Sequence, residues 1–225
     1  MGNFFTSSVG KKLWMALAGI FLLLFLLVHL SINMAIIIFD TKEQFNLAAH
    51  FMSTNMVIRI MEYILFGGFL LHIAVGLVLQ FNNWSARPVS YKKANFSQTS
   101  FFSKYMFHTA AIIFVFLAIH FADFYFKARF GIGGTTEEIT YNSKTVHDIG
   151  ELILMKFQMP AFVIGYVIAF LFLGFHLHHG FQSAFQTLGV NHKTYSPVIY
   201  TLGIVYTLII VVGFSSIPIV IYFFK

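Results

Sequence analysis

The sequence predicts an all-α integral membrane protein with five transmembrane helices, the first four forming a bundle. Three observations predict it. The chain of 225 residues is 58% hydrophobic and only 10% charged, with a mean hydropathy of +0.80, whereas an ordinary soluble domain is about 25% charged. Five runs are apolar over the roughly 20 residues a membrane-crossing helix needs. The stretches between them are polar, and helices are the spanning structure such runs can form.

The first run covers residues 13–39. It is too long for a signal-peptide core and has no well-placed small-residue cleavage site. DTKEQFN comes next. The second run, 57–81, leads into NNWSARPVSYKKANFSQTS, and the third, 105–126, into a long polar segment. Gly131, Gly133, Gly134 and Asn142 mark that segment as a loop, with a short surface helix expected at its end. The fourth run, 157–181, is succeeded by QSAFQTLGVNHKTYS, and the fifth is 198–224. Pro160 and Pro218 fall near span ends, so no span is expected to break internally. No internal repeat is visible, and residues 1–225 read as one membrane domain. The opening MGNFFT fits a myristoylation pattern, and Asn83 and Asn95 begin glycosylation sequons; such short patterns are common by chance.

There is no cysteine. That excludes iron–sulfur ligation, Cys-type zinc sites, disulfides and covalent c-type haem. The formal net charge is +6, with no basic stripe on a soluble domain, so it points to a membrane surface and not to nucleic acid. With the N-terminus inside, the inner and outer segments hold seven Lys and Arg each. The pairs Lys11–Lys12 and Lys92–Lys93, unaccompanied by acids, favour a cytoplasmic N-terminus. All eight acids fall on the opposite, outer side.

His29, His72, His120 and His176 stand one in each of the first four runs. A histidine is costly in hydrocarbon unless paired or ligated. At about 1.5 Å per residue, His29 and His120 lie roughly 10–16 Å below the outer boundary. His72 and His176 lie roughly 9–15 Å above the inner one. Two levels result, each with two histidines from two helices. A flat b-type haem needs one axial nitrogen on each side, and neutral imidazoles supply them. Gly68 and Gly76 flank His72 at four residues either side, and Gly180 stands four after His176. They share the histidines' faces, where small residues admit a flat ring or simply a neighbouring helix. His179 is close to the face of His176, one turn nearer the inner boundary, while His178 points about 200° away.

The order LLVHLSIN, GGFLLHIAVG, FLAIHF and GFHLHHGFQSAFQTLG resembles the type B di-haem cytochrome b (b558) anchor of succinate dehydrogenase and fumarate reductase. The resemblance covers nearly the whole chain. It implies that His72 and His176 hold a proximal haem b iron and that His29 and His120 hold a distal one. It also implies a flavoprotein subunit and an iron–sulfur subunit as partners, in a bacterial cytoplasmic membrane. A quinone near the outer level would be the electron acceptor or donor, menaquinone rather than ubiquinone. Asp40, Glu43, His50, Glu62 and Asp123 are the outer groups that could serve its protons. Asp123, one turn after His120, shares that face. Arg59 and Glu62 are close enough to neutralise one another. A hydrogenase or formate dehydrogenase anchor would use a different histidine order. A proton-relaying transporter would need helices broken at mid-membrane.

Overall fold

The structure, a computed structural model, describes residues 7–85, 104–131 and 137–225. Arg87, Lys92, Lys93, the sequon at Asn95, Gly133 and Gly134 lie outside the described residues. Helix α1 is Ser8–Ile38, begun by the Ser7 side chain, which accepts the Gly10 N–H at 3.0 Å. Next come helices α2 (Glu43–Thr54), α3 (Met56–Ser85) and α4 (Met106–His120). One π-helical turn, Phe121–Tyr125, joins α4 to α5 (Phe126–Phe130), which Gly131 ends at φ +64°. Strands β1 (Glu138–Tyr141) and β2 (Lys144–His147) precede α6 (Ile149–Phe157), α7 (Pro160–Thr187) and α8 (Ser196–Phe224).

Five helical stretches are long and apolar enough to cross a membrane: Val9–Ile38, Met56–Ser85, Met106–Phe130, Pro160–Thr187 and Ser196–Phe224. The all-α membrane fold therefore stands, with several boundaries corrected. Met56–Ser85 is 30 residues long, about 45 Å at 1.5 Å per residue, so polar ends continue the helix past the apolar run. Phe157, expected in span four, instead ends α6. Pro160 opens α7 at its first turn, where a missing N–H costs nothing. Pro218 lies inside α8 and is fully buried.

The core runs between α1, α7 and α8. Phe170 and Phe214 stack at 5.3 Å, and the Tyr206 hydroxyl donates to the Leu23 carbonyl at 2.7 Å. Gly174 lets α8 come close: a β-carbon there would stand 2.6 Å from Val211 Cγ2. Helix α4 packs on α7. Helix α3 differs. It packs on α1 and α2, contributes no buried residue, and meets α4 and α7 at most glancingly.

Two elements at the outer end of the bundle, the end away from the start of α1, were not expected. Most of DTKEQFN, with the residues up to Thr54, folds into α2, which buries Phe45 and Asn46. The loop after α5 holds a hairpin, turned at Asn142 and Ser143 with φ 47° and 68°. Two-residue hairpin turns favour positive φ because it matches strand twist. The short helix expected at the loop's end is α6. Together these pieces form an outer cap, tied by Asn46. Its amide donates to Asp148 Oδ1 at 2.8 Å and to the Tyr141 hydroxyl at 3.3 Å, and accepts the Gly150 N–H at 2.8 Å.

Candidate functional site

Four helices bring the four intramembrane histidines into two pairs. The His29 and His120 rings, from α1 and α4, stand 5.9 Å apart between centroids at an interplanar angle of 90°. The His72 and His176 rings, from α3 and α7, stand 6.2 Å apart at 67°. These are the partners expected from depth. All four residues remain partly exposed within the bundle, because α3 stands away from α4 and α7.

Aromatic side chains wall the outer pair. Phe25 stacks on His29 at 5.2 Å, and Phe214 lies 5.7 Å away. Around His120 are Phe116, Phe124 and Tyr166, at 5.9, 5.6 and 6.3 Å. Among the described residues, four buried polar side-chain atoms lack a hydrogen-bond partner: His72 Nδ1, His120 Nδ1, the Tyr166 hydroxyl and Ser215 Oγ. Two of them belong to these pairs and a third borders His120. Unpaired buried polar atoms are uncommon and call for a reason.

A metal held between two imidazoles, about 2 Å from each nitrogen, sets the ring centres roughly 6 Å apart. Both pairs have that spacing. The residues therefore fit a planar metal-bearing group with one imidazole above and one below. Among the described residues, no group of three or more His, Cys, Asp or Glu could hold a bare metal ion. The donors here come in twos.

The glycines have a different use from the one that favours a flat ring. A β-carbon on Gly68 would meet Phe21 Cδ1 at 3.2 Å, and one on Gly76 would meet Met15 Cε at 3.3 Å. Both accommodate side chains of α1. Gly180 faces Met106 Cε at 3.8 Å. Gly19, on a different helix from the glycines that flank His72 in sequence, lies against His72 itself: its β-carbon would stand 3.9 Å from His72 Cε1.

The three histidines of α7 part company. His176 faces His72 and touches Thr109 Oγ1 through Nδ1 at 3.4 Å. The His178 ring lies against Tyr200 of α8 at 5.7 Å and 3.3 Å from Gln182 Nε2. His179 is half-buried.

At the outer end the acidic candidates scatter. Asp40 is exposed beside Lys225 and Phe224. Glu43 and His50 lie on α2, whose His50 carbonyl accepts from Ser53 and Thr54. Asp123 is not left facing His120: it lies in the π turn, and its carboxylate is held by Lys156 Nζ at 2.6 Å. Glu62 does not pair with Arg59. It accepts from the Tyr125 hydroxyl and stands 3.7 Å from Arg129. Glu62, Tyr63, Phe66, Tyr125, Arg129 and Phe130 line a pocket of about 110 Å³. Phe66 and Phe121 touch at 5.7 Å, and Phe121 neighbours His120 at 6.3 Å, so aromatic rings run from pocket to histidine. Tyr125 and Arg129 are not among the residues expected from sequence; one lies in the π turn and the other in α5 just beyond it. No protein-family profile, no curated protein and no solved structure matches this chain.

Proposed function

We propose that this chain is the membrane-anchor cytochrome b subunit of a succinate:quinone oxidoreductase. It carries electrons between an iron–sulfur partner and a membrane quinone, menaquinone in preference to ubiquinone, through two b haems. The observation that carries this reading is the pair of ring separations, 5.9 Å for His29–His120 and 6.2 Å for His72–His176. A relay of protons through hydrogen-bonded histidines does not call for facing pairs at that spacing. With no cysteine the chain offers no thiolate for an iron–sulfur centre; the same reading gives that centre and the flavin to partner subunits, in a bacterial cytoplasmic membrane with the N-terminus inside.

Haem iron supplies one-electron exchange without moving atoms. The chain's own residues do the rest. His72 and His176 would hold the inner haem, and His29 and His120 the outer one. Neutral imidazole ligands leave no bare charge in hydrocarbon. Phe25, Phe116, Phe124 and Phe214 keep water from the outer pair. At the outer end, Arg129 offers hydrogens to a quinone carbonyl, and the hydrogen-bonded pair of Tyr125 and Glu62 offers the site for its proton. The short aromatic run through Phe66 and Phe121 links that pocket to His120.

The test is a reduced-minus-oxidised spectrum of the purified chain, with haem measured per chain. Two b haems per chain are expected. No haem overturns the reading, and one per chain overturns the two-level arrangement.

A further inference from the structure

We propose that Thr109 is a positioning residue that fixes the tautomer of His176 and so presents its Nε2 lone pair for ligation. The proposal rests on the two-haem reading for its purpose. The hydrogen-bond geometry behind it stands independently.

Thr109 is buried in α4, 7% exposed. Its hydroxyl has a single hydrogen, and that hydrogen is taken by the Met106 carbonyl at 2.9 Å, one turn back. What remains for His176 Nδ1, 3.4 Å away across the α4–α7 contact, is a pair of lone pairs. A nitrogen facing only lone pairs is favoured in its N–H form. Neutral imidazole carries one hydrogen, so Nε2 keeps the free lone pair. A ligating histidine is commonly set in this way by the hydrogen bond its other nitrogen makes.

The other three histidines lack this arrangement. His72 Nδ1 and His120 Nδ1 are buried with no partner. His29 Nδ1 faces the Asn33 amide nitrogen at 3.4 Å, which already donates to the His29 carbonyl at 2.8 Å. An amide nitrogen offers hydrogens only, so that contact favours an accepting Nδ1, the opposite tautomer. Among the four, His176 alone is preset for ligation through Nε2, and Thr109 is what presets it.

The test uses the 15N-histidine-labelled chain purified before haem is loaded, because ligation through Nε2 would by itself leave the hydrogen on Nδ1. The His176 signal is assigned by its loss in His176→Gln. In the wild type, Nδ1 is expected to carry the hydrogen. Thr109→Val keeps the shape but removes the acceptor, and should shift that signal or mix the tautomers. Thr109→Ser should restore it. A hydrogen on Nε2 in the wild type, or an unchanged signal in Thr109→Val, overturns the proposal. On the same samples, inner-haem affinity should fall about 10–100-fold in Thr109→Val, with the outer haem unchanged. A wild type that takes up no haem overturns the functional reading, while the nitrogen signal of the haem-free chain still decides the role of Thr109.

Discussion

His176, His178 and His179 lie within four positions of one helix, yet His176 and His178 meet different surroundings. The difference arises from 100° per residue and from which helix waits on each side. His176 turns to α3 and α4, where His72 and Thr109 stand. His178 turns to Tyr200 on α8. His176→Ala should therefore remove the inner haem, and His179→Ala should leave it. At the other level, His29→Ala or His120→Ala should remove the outer haem and spare the inner one, since their rings face each other and not His72 or His176. Redox-titrated difference spectra of the four variants read this directly. Loss of the inner signal alone in His29→Ala overturns the pairing. The two histidine pairs were legible because a histidine in an apolar run carries its own cost and depth is simple arithmetic. Thr109 was not legible, because a threonine in a membrane helix usually bonds its own backbone. Nothing in the sequence says which histidine 67 residues on will meet its lone pairs.

Among the elements, the outer cap depends most on a few charges. Burial pushes the Asp148 carboxyl up, but bonds from Lys42, Asn46 and the Glu151 N–H outweigh it and hold it below its ordinary 3.8. Burial likewise lowers Lys42, and its bonds to Asp148 and Glu151 outweigh that and raise it above 10.5. The depressed carboxyl adds stability above its unfolded pKa, lost as pH falls through the folded value. The raised ammonium adds stability below 10.5, lost as pH rises through its folded value. The cap should thus be firm at neutral pH and loosen below the ordinary carboxyl range. Hydrogen-exchange protection over residues 138–157, taken relative to the intrinsic rate at each pH, measures this at pH 7 and pH 3, and equal protection at both overturns it. Gly150→Ala tests the same joint sterically. Its β-carbon would stand 2.9 Å from Lys42 Cβ and 3.1 Å from Asn46 Oδ1, neither of which can retreat far. Overpacking of this kind costs about 1–3 kcal/mol, read as earlier thermal loss of the cap. The five spans were legible from length and apolarity alone. The cap was not: α2 is short and mixed in character, and its helix is stabilised by contact with α6 and β2, not by propensity. The π turn, which holds Asp123 and Tyr125, leaves no mark in composition.

Across the whole molecule, the bundle is unevenly bound. Helices α7 and α8 interlock at Gly174 and Val211, and α1 joins them through Leu23 and Tyr206. Helix α3 carries His72 of the inner pair, and none of its residues is buried as a whole. In a membrane, apolar side chains gain little by leaving lipid for protein, so association needs close packing, polar bonds or a shared group. α3 has packing from α1 and α2 and the Glu62–Tyr125 bond at its outer end. Its inner half meets α7 through the ring of His72. A haem ligated by His72 and His176 would be the principal tie there, so α3 should depend on it more than any other span. Chain made without haem and chain loaded with it can be compared by hydrogen exchange in detergent. Exchange should rise in the haem-free chain over residues 67–85, while residues 160–181 and 203–221 of the interlocked pair stay protected. His72→Ala should reproduce the rise in haem-loaded material. Uniform exchange across all five spans, with or without haem, would mean that α3 is held by protein contacts alone.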